Sequence, residues 1–271
     1  MAADYLLYGG DHSLYTGKAR AYMRFKGLNW EEVTATRAIY KTTLLPNVGA
    51  AIVPVLATAE GRFIQDTTDI IDFLEAAHPA VPVYPDTPVQ KLVALMLELY
   101  GDEWLVIPAM HYRWSMLEQQ REFIFSEFGK MSAPEASREE QLVIGEKTST
   151  MFRGSITMLG ITEQTIPAIE QVYLELLDQL DVHFGQYDYL LGSRPSIGDF
   201  GLMGPLYAHL GRDQLPDVGE RVIHSYAQWM LQRPCAHTRA TRVGGGPTMS
   251  ERFRRKPVAC AYISAGGYGT S

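Results

Sequence analysis

Apolar and polar positions change period often over the first eighty residues and then settle into helical spacing, which predicts a mixed α/β unit followed by a helical one. Tyr5 to Tyr8 is a short β-type run ending at Gly9-Gly10. Leu14 to Lys26 then places Ala19, Tyr22, Met23 and Phe25 at helix spacing, with Gly27 as its stop. Trp30 to Val33 reads as a second strand and Thr36 to Leu45 as a short helix closed by Pro46-Asn47. Val53 to Leu56 and Arg62 to Ile64 flank Ala59-Glu60-Gly61 as a hairpin, with Pro54 demanding an edge or a bend. Thr67 to Ala77, with Ile70, Ile71, Phe73 and Leu74, is a helix ended by His78-Pro79. The order βαβαββα, closed by the right-handed crossover rule, predicts a thioredoxin-like layer.

Three prolines between Val81 and Pro88 mark a linker. Beyond it, an apolar helix is predicted from Val89 through Tyr100 to about Trp114, kinked at Pro108. Glu118 to Ser137 is charged and unpatterned and reads as a solvated connection. The strongest helix signal is Thr165 to Phe184, where Ile169, Val172, Leu176, Leu180 and Phe184 recur every three or four residues, with Pro167 in the first turn. Ser196-Ile197-Gly198-Asp199 has the spacing of a capping box for a helix running to about Leu210. A last helix is read from Asp217 to Arg233. The expected division is residues 1–80 as the α/β unit, 81–88 as linker, 89–243 as the helical unit and 244–271 as an irregular tail.

Composition narrows the function classes. Lysine and arginine number 24 against 31 acidic residues, a formal charge of −7, which argues against a nucleic-acid or anionic-membrane surface. Arg252 to Lys256 is too short a basic stretch to change that. The two cysteines, Cys235 and Cys260, exclude a disulfide framework and a multi-cysteine metal site, and fit a reducing, cytoplasmic compartment. Met1-Ala2-Ala3-Asp4 has no basic stretch leading into an apolar one, so no secretory signal is expected. No apolar run reaches the roughly 20 residues that a membrane span needs. His111 has no partner at metal-ligand spacing, and no metal is expected.

Candidate chemistry starts at the first helix. Its N-terminus offers free amides and a favourable dipole to an anion, and Ser13 stands there. A hydroxyl at that place caps the helix or donates to a thiolate. The chain's own thiols lie elsewhere, so a thiol activated here would belong to a ligand.

These residues carry a resemblance. Ser13 with Lys18 and Arg20, Val53-Pro54, Asp66-Thr67 ahead of Phe73-Leu74-Glu75, and Ser196 to Asp199 together resemble a cytosolic-type glutathione transferase, bacterial-like, with a serine-type active-site turn. The resemblance implies an N-terminal thioredoxin-like βαβαββα domain, a C-terminal helical-bundle domain and a homodimer. It implies glutathione as cosubstrate, a hydrophobic electrophile, and a role in detoxification. It assigns thiolate stabilisation to Ser13, with Tyr8 and Tyr15 as alternatives. Glutathione would meet Ser13, Lys41 (or Arg37), the backbone of Val53 before Pro54, Asp66 and Thr67. Tyr15, His111, Tyr112 and Trp114 are the residues expected to face the electrophile. Leu14, Asp66 and the stretch Gly49-Ala50-Ala51-Ile52 depart from the usual pattern, and a binding protein of the same fold without turnover is the alternative.

Overall fold

The computed structural model describes residues 2–50 and 52–213. The helix expected at Asp217–Arg233, both cysteines, Arg252–Lys256 and the tail 244–271 lie outside the described residues. The N-terminal unit is a four-stranded sheet in the order β2-β1-β3-β4, with β1 (Tyr5–Gly9) parallel to β2 (Trp30–Thr34) and antiparallel to β3 (Val55–Thr58), which pairs antiparallel with β4 (Phe63–Gln65). The thioredoxin-like order is therefore present. Side chains alternate across β1: Leu7 faces α1 (Leu14–Lys26) and α3 (Thr67–Ala77), while Tyr8 faces α2 (37–48) with Leu44, Val55 and Ala57. Gly27 and Gly49, at φ 65° and 72°, end α1 and α2 in the left-handed region open to glycine. α2 thus runs past Pro46 instead of closing there, through a wide turn, Tyr40–Leu44, that leads into the proline-bearing last segment, Leu45–Val48.

α1 is buried on nearly every side, since the sheet covers one face and α10 (Ile197–Pro205, continued as Leu206–Gly211) covers the other. Lys18, Arg20 and Lys26 are consequently buried cations, and each has found a carboxylate. Lys18 reaches Glu98 and Asp102, Arg20 reaches Glu32 and Asp11, and Lys26 reaches Glu75. A buried ammonium without such a partner would cost several kcal/mol, so these pairs fix which surfaces α1 can pack against.

The remainder is helical. α4 (Pro88–Leu99) starts at the Thr87 cap and passes through a wide turn, Tyr100–Trp104, into α5 (Val106–Ser115). Where a kink at Pro108 is expected, the helix departs from α geometry at residues 100–104, and Pro108 lies in the first turn of α5 that follows. The expected solvated connection is instead α6 (Leu117–Ser132), which packs on α7 (Arg138–Thr148). Ile124, Phe125 and Phe128 are its buried stripe, and Gly129 and Gly145 let the two backbones meet. A short helix, α8 (Thr150–Gly154), precedes α9 (Ile166–Phe184). α9 forms where expected, but its buried side is Tyr173, Leu177, Leu180 and Phe184; Val172 points outward. Ahead of α10, Asp199 accepts from the Ser196 amide at 2.8 Å and hydroxyl at 2.9 Å, so the capping box is formed. No described helix is long and apolar enough to cross a membrane.

Candidate active site

A cavity of about 390 Å³ opens where the N-terminal unit meets α4 and the wide turn after it. On the sheet side it is lined by Ile52, Val53, Pro54 and Gln65, with Asp66, Thr67 and Thr68 at the head of α3. On the helical side stand Leu95, Glu98, Leu99, Asp102 and Glu103. Tyr15 of α1 completes it. The Val53-Pro54 peptide is cis. Asp66 caps α3 by accepting from the Thr68 amide at 2.8 Å, and does so at φ 80°, ψ 135°, backbone that a side-chain-bearing residue rarely adopts. Thr67 follows it at the first helical position, beside the unpaired amides of the helix start. That end of the cavity suits an anionic group, whereas Asp66 itself suits a cationic one.

The helical wall is organised by Lys18. Its ammonium is fully buried and donates to Glu98 at 2.7 Å and to Asp102 at 2.5 Å, and the Thr68 hydroxyl donates to the same Glu98 oxygen at 3.1 Å. Asp102 Oδ1 is buried and has no hydrogen-bond partner among the described residues. Burial pushes the Asp102 carboxyl up to about 6, with Glu98 and Asp66 adding to the rise and Lys18 opposing it. The closeness of this wall depends on glycine. A Cβ on Gly201 of α10 would lie 2.7 Å from the Glu98 Cα, so the two helices touch backbone to backbone at the residue that Lys18 grips.

Of the residues expected from sequence, Tyr15, Val53, Pro54, Asp66 and Thr67 come together on this cavity. Ser13 stands two residues before Tyr15 as the cap of α1. Its oxygen accepts from the Thr16 amide at 3.2 Å, which uses a lone pair and leaves the O–H able to donate, so capping and donation to a ligand are compatible. It does not line the cavity. The Tyr15 hydroxyl donates to the Asp102 carbonyl at 2.8 Å, and burial together with Asp102, Glu103 and Asp66 raises its pKa. It is held as a neutral phenol whose proton is already engaged. Tyr8 lies 9% exposed on the far side of the sheet, stacked on Phe63, away from the cavity.

Lys41, like Arg37, is exposed on α2 and does not line the cavity. His111, Tyr112 and Trp114, expected beside the electrophile, do not line it either. His111 is buried between Ser115, at 2.9 Å, and Glu170, at 3.1 Å; Tyr112 packs on Tyr173; Trp114 packs on Phe128. The wide turn after α4 swings these residues into the helical unit's own core, leaving α4 itself to face the cavity. Glu98, Asp102 and Glu103 were legible only as charges interrupting an apolar run. Two carboxylates four residues apart on an otherwise apolar helix, with a buried-type lysine elsewhere, is the signal that could have found them.

Residues 7–82 match the family model described as glutathione S-transferase, N-terminal domain. The α/β unit resembles a glutathione S-transferase N-terminal domain. The glutathione transferase fold extends beyond it. A glutathione S-transferase from Rhodospirillum rubrum F11 is 17% identical with a TM-score of 0.54, the match covering 91% of this chain and 98% of that one. The beta-etherase LigF from Sphingobium sp. strain SYK-6 is 18% identical with a TM-score of 0.56, covering 93% and 100%. Glutaredoxin 2 from Salmonella typhimurium, solved in complex with glutathione, is 15% identical with a TM-score of 0.53, covering 84% and 94%. A comparison with curated proteins finds none that matches. At these identities the glutathione transferase likeness is one of fold.

Proposed function

We propose that the protein is a glutathione transferase, binding glutathione in the cavity and using its sulfur to attack a hydrophobic electrophile. The observation that carries this is Asp66, held in left-handed backbone at the head of α3 with Thr67 beside it, both on the cavity wall. Strain of that kind persists where the surroundings enforce it, and it turns a carboxylate and a helix start toward one ligand. An α-amino acid end group fits both: Asp66 accepts from its ammonium, and Thr67 donates to its carboxylate. Val53 offers its backbone polar groups to the peptide part.

In this reading the Ser13 O–H donates to the sulfur and, with the unpaired amides opening α1, favours its anionic form; an exposed Lys41 pairs with the far carboxylate. Lowering a thiol pKa by about two units takes roughly 2.7 kcal/mol of preference for the anion. Homodimerisation belongs to the same proposal. Val89, Leu92, Val93 and Met96 form an exposed apolar stripe on α4, next to but distinct from the stripe that lines the cavity.

Calorimetry with glutathione tests binding, and the ultraviolet thiolate absorbance of the complex, compared between the native protein and Ser13→Ala, tests the role of the hydroxyl. A rise in the bound thiol pKa on substitution supports the assignment. Binding without ionisation in either protein supports the alternative of a non-catalytic binding protein, a reading favoured by the place of Ser13 outside the cavity lining and by the carboxylates within it.

A further inference from the structure

Among the described residues, four that bear carboxyl groups line the cavity, Asp66, Glu98, Asp102 and Glu103, and no lysine or arginine does. The cation in contact with them is the buried Lys18, which answers Glu98 and Asp102. In the reading above the amino acid end of glutathione is balanced by itself and its far carboxylate is answered by Lys41 outside the cavity lining, while its anionic sulfur adds to the surplus of negative charge. That surplus lies on the helical side, beyond what the head of α3 requires. Asp102 Oδ1 is a buried acceptor without a donor among the described residues, and Glu103 is exposed at the rim. Beside them, Ile52 is 54% and Leu99 58% exposed, an apolar bed next to the carboxylates. In a cleft with low-dielectric walls, such an arrangement repels an anion and attracts a cation carried on an apolar body.

We propose that this cavity selects its second substrate by charge, taking electrophiles that are neutral or cationic and excluding anionic ones, with Asp102 and Glu103 as the specificity-determining residues. The inference rests on the glutathione-binding reading above and names the cosubstrate class of the same site. The aryl or alkyl body lies on Leu99 and Ile52, and a cationic or hydrogen-bond-donating end faces the two carboxylates.

The test is calorimetric, with three conjugates as probes: S-benzylglutathione and its para-aminomethyl and para-carboxy derivatives. The carboxy conjugate is expected to bind at least about tenfold more weakly than the aminomethyl one, since like charges brought together carry a penalty of that order or larger. The gap is expected to shrink several-fold in Glu103→Gln, which alters an exposed residue, in Asp102→Asn, which is isosteric, and at high salt. Equal affinity for the two charged conjugates while S-benzylglutathione binds overturns the charge selection and leaves glutathione binding standing. If none of the three binds, the glutathione reading fails, and free benzylammonium and benzoate decide the charge claim: retention of the ammonium alone upholds it, and any other result overturns it.

Discussion

Two buried ionic clusters hold the helical unit against the N-terminal one, one with carboxylate in surplus and one in balance. Beside the cavity, the single ammonium of Lys18 serves Glu98 and Asp102, so carboxylate is in excess. Behind the turn that carries Ser13, the Arg113 guanidinium forms a two-pronged pair with Asp213, at 2.8 and 2.9 Å, and donates also to the carbonyls of His12, at 3.0 Å, and Ala208, at 2.9 Å. Here guanidinium and carboxylate balance one to one, and the neighbouring imidazoles of His12 and His209 stay neutral. Burial, with Arg113 and Arg212, pushes His12 down to about 3; burial, with Arg113 and His12, holds His209 well below the usual histidine range. Every guanidinium nitrogen of Arg113 donates, and the unpartnered polar atoms beside it are the two nitrogens of the neutral His209, whereas the cluster at the cavity keeps an unpartnered carboxylate oxygen among the described residues. The Arg113 cluster lies away from the cavity and the Lys18 cluster lines it.

The comparison can be broken most directly at Arg113. Arg113→Met strands the buried Asp213 carboxylate and two carbonyls, and is expected to cost about 3–5 kcal/mol in denaturant unfolding. A loss below about 1 kcal/mol would mean that the cluster is not structural. Lys18→Met should cost less, about 3 kcal/mol, since Asp102 keeps 15% of its side chain exposed and can take up a proton instead.

Acid stability sharpens the contrast. His12 binds its proton less readily folded than unfolded, so its contribution is full above 6.5 and is lost as pH falls toward 3. Asp102 binds its proton more readily folded, with a pKa of about 6 against 3.8, so its contribution weakens as pH rises through that window. His12→Phe, which keeps a ring against Phe128, is therefore expected to flatten the loss of stability between pH 6.5 and 4, and Asp102→Asn to steepen it, as read by thermal unfolding across that range. If both variants move the slope the same way, the opposite protonation behaviour assigned to the two clusters is wrong. The smallest effect is expected at Ser196→Ala, about 1 kcal/mol, because it removes one leg of a cap and touches neither cluster.

Much of the N-terminal unit was legible because its signals are local. Gly27 ends α1, the Ala59-Glu60-Gly61 turn joins β3 to β4, and Asp66-Thr67 opens α3, each written within a few residues. The sheet-side wall of the cavity, Val53, Pro54, Asp66 and Thr67, was readable for the same reason. The helical wall was not. α6 looks like a solvated connection because its buried stripe becomes visible only when Gly129 and Gly145 bring α7 against it. His111, Tyr112 and Trp114 lie on a helix as expected, yet the turn at 100–105 rotates that helix away from the cleft, and nothing local announces a turn wider than an α-turn.

By itself, then, the chain's order of residues determined where strands and helices start and stop in the first domain, the capping box ahead of α10, and the resemblance to glutathione transferases, since periods, caps and turn residues act over short range. Tertiary structure alone decided that Lys18 answers two carboxylates some eighty residues away and that those carboxylates line a cavity. The charge of that cavity is a sum over side chains from distant segments, and such a sum exists only once packing has removed them from water.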